Sequence, residues 1–420
     1  MKFSDIVIGS VLVAIQLLAA LPWLTAALSG GRSFFDVVAD LASGRSGPGG
    51  RRQVGGVNGL LGIIAVALSA LILIPPAFLL MVEGHDALAI AGRAYGALLQ
   101  VQLILDFFVL AIALMLRVWP KGGAVALAAF REGVRQPMFW LLTSAAMILL
   151  ALSLFIPYFT FGEDHIMYKD LGYDAIMLTA AAFGALAASI FVSDEIEGRT
   201  ALTLLSKPVS RREFLLGKYF GILFAGLFMF AFLGTYFEGA LLYKNFLDRV
   251  DPVPQPEWIG RSLASIPSGP AAEFLRGAGL WVQHTLETLP GLVLGFSQVM
   301  VLVAIAVTLA TRVPMIVNLT TVLVLFALSH LTPVLVAIGK KAQQDNPGPV
   351  AQMLGFVSNS LNVLLPDLDA FKIGPALMTD NPLPVIPFIK YLASVSFYGV
   401  LFSSIVLLVG LILFEDRDLA

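Results

Sequence analysis

Long runs of apolar residues, broken by short polar stretches, are the dominant pattern along the chain. A spanning helix needs about 20 apolar residues, because lipid offers its backbone no hydrogen-bond partners. Nine stretches read between charged residues meet that length: 6–28, 58–82, 98–116, 136–162, 175–193, 219–237, 288–311, 313–339 and 391–414. Strand-type alternation is absent from them, which disfavours a membrane β-barrel. Lys2 and the small residues Ala26, Ala27 and Ser29 give the first run the outline of a signal peptide. The run exceeds the 7–15 residues of a typical signal core, so it reads as a span. The uncharged stretch 350–365, hemmed by Pro347, Pro349 and Pro366, is too short to cross and suits a re-entrant or interfacial helix.

Composition agrees with this pattern. Of 420 residues 58% are hydrophobic and 13% charged, against about 45–50% and 25% in soluble proteins, and the mean hydropathy is +0.88. These values exclude a soluble globular enzyme, a disordered chain and a disulfide scaffold. The sequence has no cysteine, hence no disulfides or thiolate chemistry, and its net charge of −2 gives no case for nucleic-acid binding.

Orientation follows from the basic residues, which concentrate in cytoplasmic loops. The segments 29–57, 117–135, 194–218, Arg312 and 415–420 hold 15 of the 26 Lys and Arg. Their basic density is about twice that of the remaining connections. This predicts an N-terminus outside and a C-terminus inside, consistent with an odd number of crossings.

Two blocks result: residues 1–120, with three spans and a Gly/Arg-rich loop Gly44–Gly56, and residues 121–420, with six spans and the extracytoplasmic segments 238–287 and 340–390. The stretch 121–136 mixes Val125, Leu127 and Phe130 with Lys121, Arg131 and Arg135, as expected of a helix at the cytoplasmic interface; a frayed start of the next span is the alternative.

Chemistry is sparse. The sequence has no Walker A motif, no H-E-x-x-H and no G-x-S-x-G elbow, so no P-loop, metalloprotease or nucleophile-elbow site is predicted. Its four histidines lack metal-ligand spacing. The intramembrane polar residues are few: Asp106, His330, Asn318, Gln298 and, at a span end, Glu238. For Asp106 and His330, inter-helix hydrogen bonding is the better reading and a transport role the alternative. The glycine pairs Gly217/Gly221 and Gly291/Gly295 carry no weight, since 38 glycines produce about three or four such spacings by chance.

The loop Asp194–Lys218 is the most informative stretch. Glu195, Glu197, Arg199, Arg211, Arg212 and Glu213 surround Leu202, Leu204 and Leu205, and Pro208 ends the first helical piece. Ser210 then reads as the N-cap of the next helix, with Glu213 completing a capping box. A compact charged helix with leucines is shaped to dock a soluble partner. On composition alone, a solvated loop with snorkelling charges is the slightly better reading.

The ordered run Ser193-Asp194-Glu195-Ile196-Glu197-Gly198-Arg199-Thr200, then Leu204-Leu205-Ser206-Lys207-Pro208-Val209-Ser210-Arg211, then Phe214-Leu215-Leu216-Gly217-Lys218, resembles the loop of ABC type-2 (ABC-2) transporter permeases. Leu364–Phe371 resembles the external leucine-proline segment of that family, Leu413–Leu419 its usual end, and Phe130 to Trp140 its elbow and first span. The likeness covers about 121–420. It implies an all-α polytopic membrane protein: a six-helix ABC type-2 exporter-like core, to which 1–120 adds three transmembrane helices.

By resemblance, 194–213 is the coupling helix, and Glu195, Glu197, Arg199, Leu204, Leu205, Pro208 and Arg211 touch a cytoplasmic ATPase subunit. The protein is then a non-catalytic permease, without cofactor of its own; ATP and Mg belong to the partner. A second permease copy or paralogue completes a dimer in a bacterial plasma (inner) membrane, and an extracytoplasmic partner is a further expectation. The competing expectation is an ATPase-coupled scaffold that works on an extracytoplasmic partner without moving a solute. An ion-coupled carrier is weakened by the scarcity of buried charge.

Overall fold

The computed structural model describes residues 3–28, 84–156, 164–195, 209–247, 257–263, 269–345, 348–373 and 385–415. Among these, every regular element is helical. In sequence order they are α1 (Phe3–Leu28), α2 (His85–Val118), α3 (Pro120–Arg135), α4 (Pro137–Ser153), α5 (Asp164–Ala188), α6 (Arg211–Leu247), α7 (Glu257–Leu263), α8 (Pro270–Ala310), α9 (Met315–Asp345), α10 (Pro349–Leu364) and α11 (Val385–Glu415). A π-helical turn, Ser189–Asp194, extends α5, and a 3₁₀ turn, Asp369–Phe371, follows α10. Four helices, α3, α4, α8 and α10, begin at a proline, whose missing N–H is no loss at the first helical position.

Six of the described helices are long and apolar enough to cross a bilayer: α2, α5, α6, α8, α9 and α11. The pair α3–α4, bent by 58°, makes a seventh if counted as one broken span. In α1 the apolar stretch Ile6–Pro22 is shorter than these, and the expected span 58–82 lies outside the described residues.

Several helices run well past the spans read from the sequence. α2 starts at His85 rather than 98, α6 continues to Leu247 beyond 237, and α8 starts at Pro270 rather than 288. Charged residues mark the shorter limits, but a charge does not end a helix; caps and prolines do. α4 differs the other way, ending at Ser153 instead of 162. There the buried Lys244 ammonium donates to the Leu154 carbonyl at 3.1 Å, satisfying an acceptor that the finished helix leaves bare.

The protein divides into two compact units. The first comprises Met1–Pro120 with Asp251–Glu287. Leu12, Leu88, Tyr95, Ala271 and Phe274 form its core, with the Tyr95 and Phe274 rings 5.5 Å apart. Its polar groups bond between helices: Tyr95 donates to the Leu12 carbonyl at 3.0 Å, Trp281 Nε1 to Gln100 Oε1 at 2.7 Å, and Gln16 Nε2 to Gln102 Oε1. Asp106 is buried one turn beyond Gln102 on α2.

The second unit comprises Lys121–Val250 with Thr288–Ala420. Its centre is α5 and the C-terminal part of α8, each 72% buried over its apolar window, against 22% for α9 and 28% for α11. A helix that is apolar all round belongs inside, and α5 buries Ala175, Ile176, Met177, Ala181 and Ala185 around its circumference. α10, at 16 residues too short to cross, packs back on α9, where Gly355 lies against Gln343 and Gly339 against Ser358.

α3 is amphipathic and lies against α6. Its buried face is Gly122, Gly123, Val125, Ala126, Ala129 and Gly133, while Lys121, Arg131 and Glu132 are exposed. A methyl group on Gly217 would come within 2.7 Å of Val125 Cβ and 2.8 Å of the Gly122 carbonyl oxygen; one on Gly221 would meet Ala129 Cβ at 2.5 Å. Gly291 of the other pair lies beneath the Tyr173 ring. Chance spacing is thus the wrong reading of these glycines: both pairs are sites of close helix approach.

Candidate functional site

The site centres on the C-terminal end of α5 and the N-terminal end of α6, which flank the loop singled out in the sequence. Glu197, Arg199, Leu204, Leu205 and Pro208 lie outside the described residues. Glu195 and Arg211, the two predicted contacts at its ends, are described.

α5 does not stop as an ordinary helix. Its last turn widens to a π-helix, an irregularity frequent at functional positions. Two serines of that turn tie it to the following helices. The Ser193 hydroxyl lies 3.3 Å from the Ala310 carbonyl oxygen and 3.2 Å from that of Val313, in the tight turn between α8 and α9. Asn318, fully buried on α9, donates from Nδ2 to Ser189 Oγ and to the Ala306 carbonyl, both at 3.0 Å.

One residue beyond the π turn, the Glu195 carboxylate accepts from Lys218 Nζ at 2.6 Å. Lys218 projects from α6 and its side chain is only 5% exposed. A second carboxylate, Glu132 of α3, stands 3.7 Å from the same ammonium. Two rings complete the enclosure: Phe191 of the π turn at 5.7 Å and Phe214 of α6 at 6.0 Å from the nitrogen. One cation therefore joins the elbow helix α3, the start of the loop and α6. Burial raises the Glu195 pKa above the ordinary glutamate value, and the Lys218 charge and hydrogen bond pull it back down.

At the far end of the loop the expected capping box is present. The Ser210 backbone N–H donates to Glu213 Oε2 at 2.8 Å, and the Glu213 N–H donates to Ser210 Oγ at 3.2 Å. Arg211 is engaged within the protein: Nη1 donates to the Phe414 and Glu415 carbonyls at 2.9 and 2.8 Å, closing the C-terminal end of α11. Arg212 adds a two-nitrogen contact to Glu415 Oε1, and the Phe214 and Phe414 rings stack at 5.9 Å.

The two intramembrane candidates fall in different units. His330 is half-buried on α9, its ring 4.4 Å from that of Phe326 and its Nδ1 2.9 Å from the Phe326 carbonyl oxygen. Asp106 is buried in the first unit on α2. Among the described residues, no group of three or more His, Asp or Glu side chains is placed to hold a metal ion. Sequence reading missed Lys218, Glu132 and the π-turn serines; Phe214 and Lys218, four apart on one helix face, were the one local signal for them.

The fold and site define a multi-pass helical membrane protein whose rigid hub sits at the two ends of a single loop. Residues 134–254, which include α4, α5, that loop and α6, are similar to the family model described as ABC-2 family transporter protein. No curated protein matches the sequence.

Proposed function

We propose that the protein is the permease subunit of an ATP-binding-cassette exporter and works as a dimer, with ATP hydrolysis carried out by a separately encoded cytoplasmic subunit. The observation that carries this reading is the ABC-2 match across 134–254 combined with the construction around the loop, whose two ends are fixed to α3, α8, α9 and α11 by Lys218, Ser193, Ser189 and Arg211. A push on such a loop is transmitted to several spans together. Closure of the ATPase subunits would displace it and switch the packing of the spans. ATP and Mg are then the partner's ligands, and both the loop and the C-terminus face the cytoplasm.

In this reading Leu204 and Leu205 form the apolar centre of the ATPase contact, with Glu197 and Arg199 at its rim. Burying a leucine is worth about 1.5–3 kcal/mol, whereas an exposed rim charge is worth less than about 1 kcal/mol. Leu205→Asp is expected to leave the protein inserted and to abolish co-purification of the ATPase. Retention of full ATPase binding and substrate-stimulated hydrolysis by that variant would refute the assignment.

A further inference from the structure

An open cleft of about 440 Å³ lies at the 58° bend between α3 and α4. It is lined by Ala128, Arg131, Glu132, Arg135, Gln136 and Pro137. Arg131 and Arg135 are one helical turn apart, so they share a face of α3, and both are exposed. Among the described residues, neither guanidinium has an ion-pair or hydrogen-bond partner. The carboxylate of Glu132 stands 3.7 Å from the Lys218 ammonium. The cleft thus presents two unanswered cations at the end of an amphipathic helix of the kind that lies in a membrane interface.

An apolar lane leads away from the same cleft. Pro137, Leu141, Ile148 and Leu152 fall on one face of α4 by helical spacing, and the last three are exposed. Trp140, in the first turn of α4, is exposed too, and tryptophan prefers the level of lipid headgroups.

We propose that this cleft seats the phosphate of an anionic phospholipid, with an acyl chain along the Leu141–Leu152 lane. Two guanidiniums one turn apart offer forked N–H donors to phosphate oxygens, which a single ammonium does not supply. A soluble anion would use the arginines and leave the lane bare. An apolar helix of a partner would cover the lane and leave the arginines unpaired. An anionic lipid answers both. The site makes no use of the ATPase, so its test is independent of the transport reading.

The purified full-length protein in detergent is given equimolar phosphatidylglycerol and phosphatidylcholine with the same acyl chains, and retained lipid is counted by native mass spectrometry. Phosphatidylglycerol is expected to be the first lipid retained, by tenfold or more. A basic residue near the membrane surface contributes about fivefold to anionic-lipid affinity, so Arg131→Gln with Arg135→Gln should bring the two lipids close to parity. Lys121→Gln removes an exposed charge of the same helix outside the cleft and should keep the preference. Glu132→Gln removes the carboxylate from the cleft and should raise it. Because the substitutions act in opposite directions, a folding defect cannot imitate the set. Glycerol phosphate, which lacks the chains, should displace the lipid only at a hundredfold higher concentration or more. Equal retention of both lipids by the unaltered protein, an equal loss in Lys121→Gln, or displacement by glycerol phosphate at equal concentration would overturn the proposal. An arginine variant that keeps its lipid preference but loses the cytoplasmic subunit would also overturn it, and would assign the cleft to that protein instead.

Discussion

Lys218 shows how much a single residue can organise. Its ammonium is almost wholly buried, so replacing it by Met strands Glu195 and Glu132 without their cation. Removing one member of a fully buried pair costs about 3–5 kcal/mol, but the carboxylates left behind here keep 22% and 45% exposure. Lys218→Met is therefore expected to lose about 1–3 kcal/mol in detergent unfolding, and Glu195→Gln distinctly less, because Glu132 still faces the lysine. The raised pKa of Glu195 adds a pH signature. The folded state holds that proton more tightly than the unfolded state does. The stability this lends is complete below the ordinary glutamate pKa and is lost as pH rises through the raised value. Glu195→Gln should flatten this part of the stability–pH curve; an unchanged slope would show that the carboxyl is not its source.

At the scale of elements, the contact of α3 with α6 rests on two positions without side chains. Gly221→Val would drive a branched side chain into Ala126 and Ala129, and overpacking of this kind costs about 1–3 kcal/mol. Gly226 is a control on the same helix, since nothing lies within 4 Å of a methyl group placed there. Gly221→Val should reduce disulfide formation between cysteines placed on facing α3 and α6 positions, and Gly226→Val should not. Most helices, the elbow's amphipathic face and the Ser210–Glu213 capping box were legible in the sequence, because periodicity, prolines and caps are local signals. What was not legible is tertiary. Arg93, Glu238 and Glu287 looked like span limits but lie within helices, and Arg211, read as a partner contact, also closes α11. Gly217 and Gly221 could not be told from chance until the residues facing them were known.

For the whole molecule, the first compact unit joins the N-terminal 120 residues to Asp251–Glu287, although some 130 residues separate them in sequence. A protein beginning at Lys121 would leave Ala271 and Phe274, both fully buried, without Leu88, Tyr95 and Leu12. Limited proteolysis of that truncated form should cut within 251–287 and spare α4, α5 and α6. The absence of cysteine also makes orientation directly measurable. A cysteine at the exposed Arg276 should react with impermeant reagent in intact cells, and one at Ser46 should not; the reverse pattern would invert the orientation read from the basic residues.

The clamp of Arg211 on α11 has a consequence in time. Its two ends are 203 residues apart, which at a synthesis rate of about 5–20 residues per second amounts to roughly 10–40 s. Throughout that interval the helix that follows the loop is already made but lacks the carbonyls on which its first arginine closes. Biogenesis is thereby ordered: the N-terminal end of α6 is braced only once α11 has been made, so in the proposed reading a polypeptide that stops before α11 offers its loop on an unbraced support.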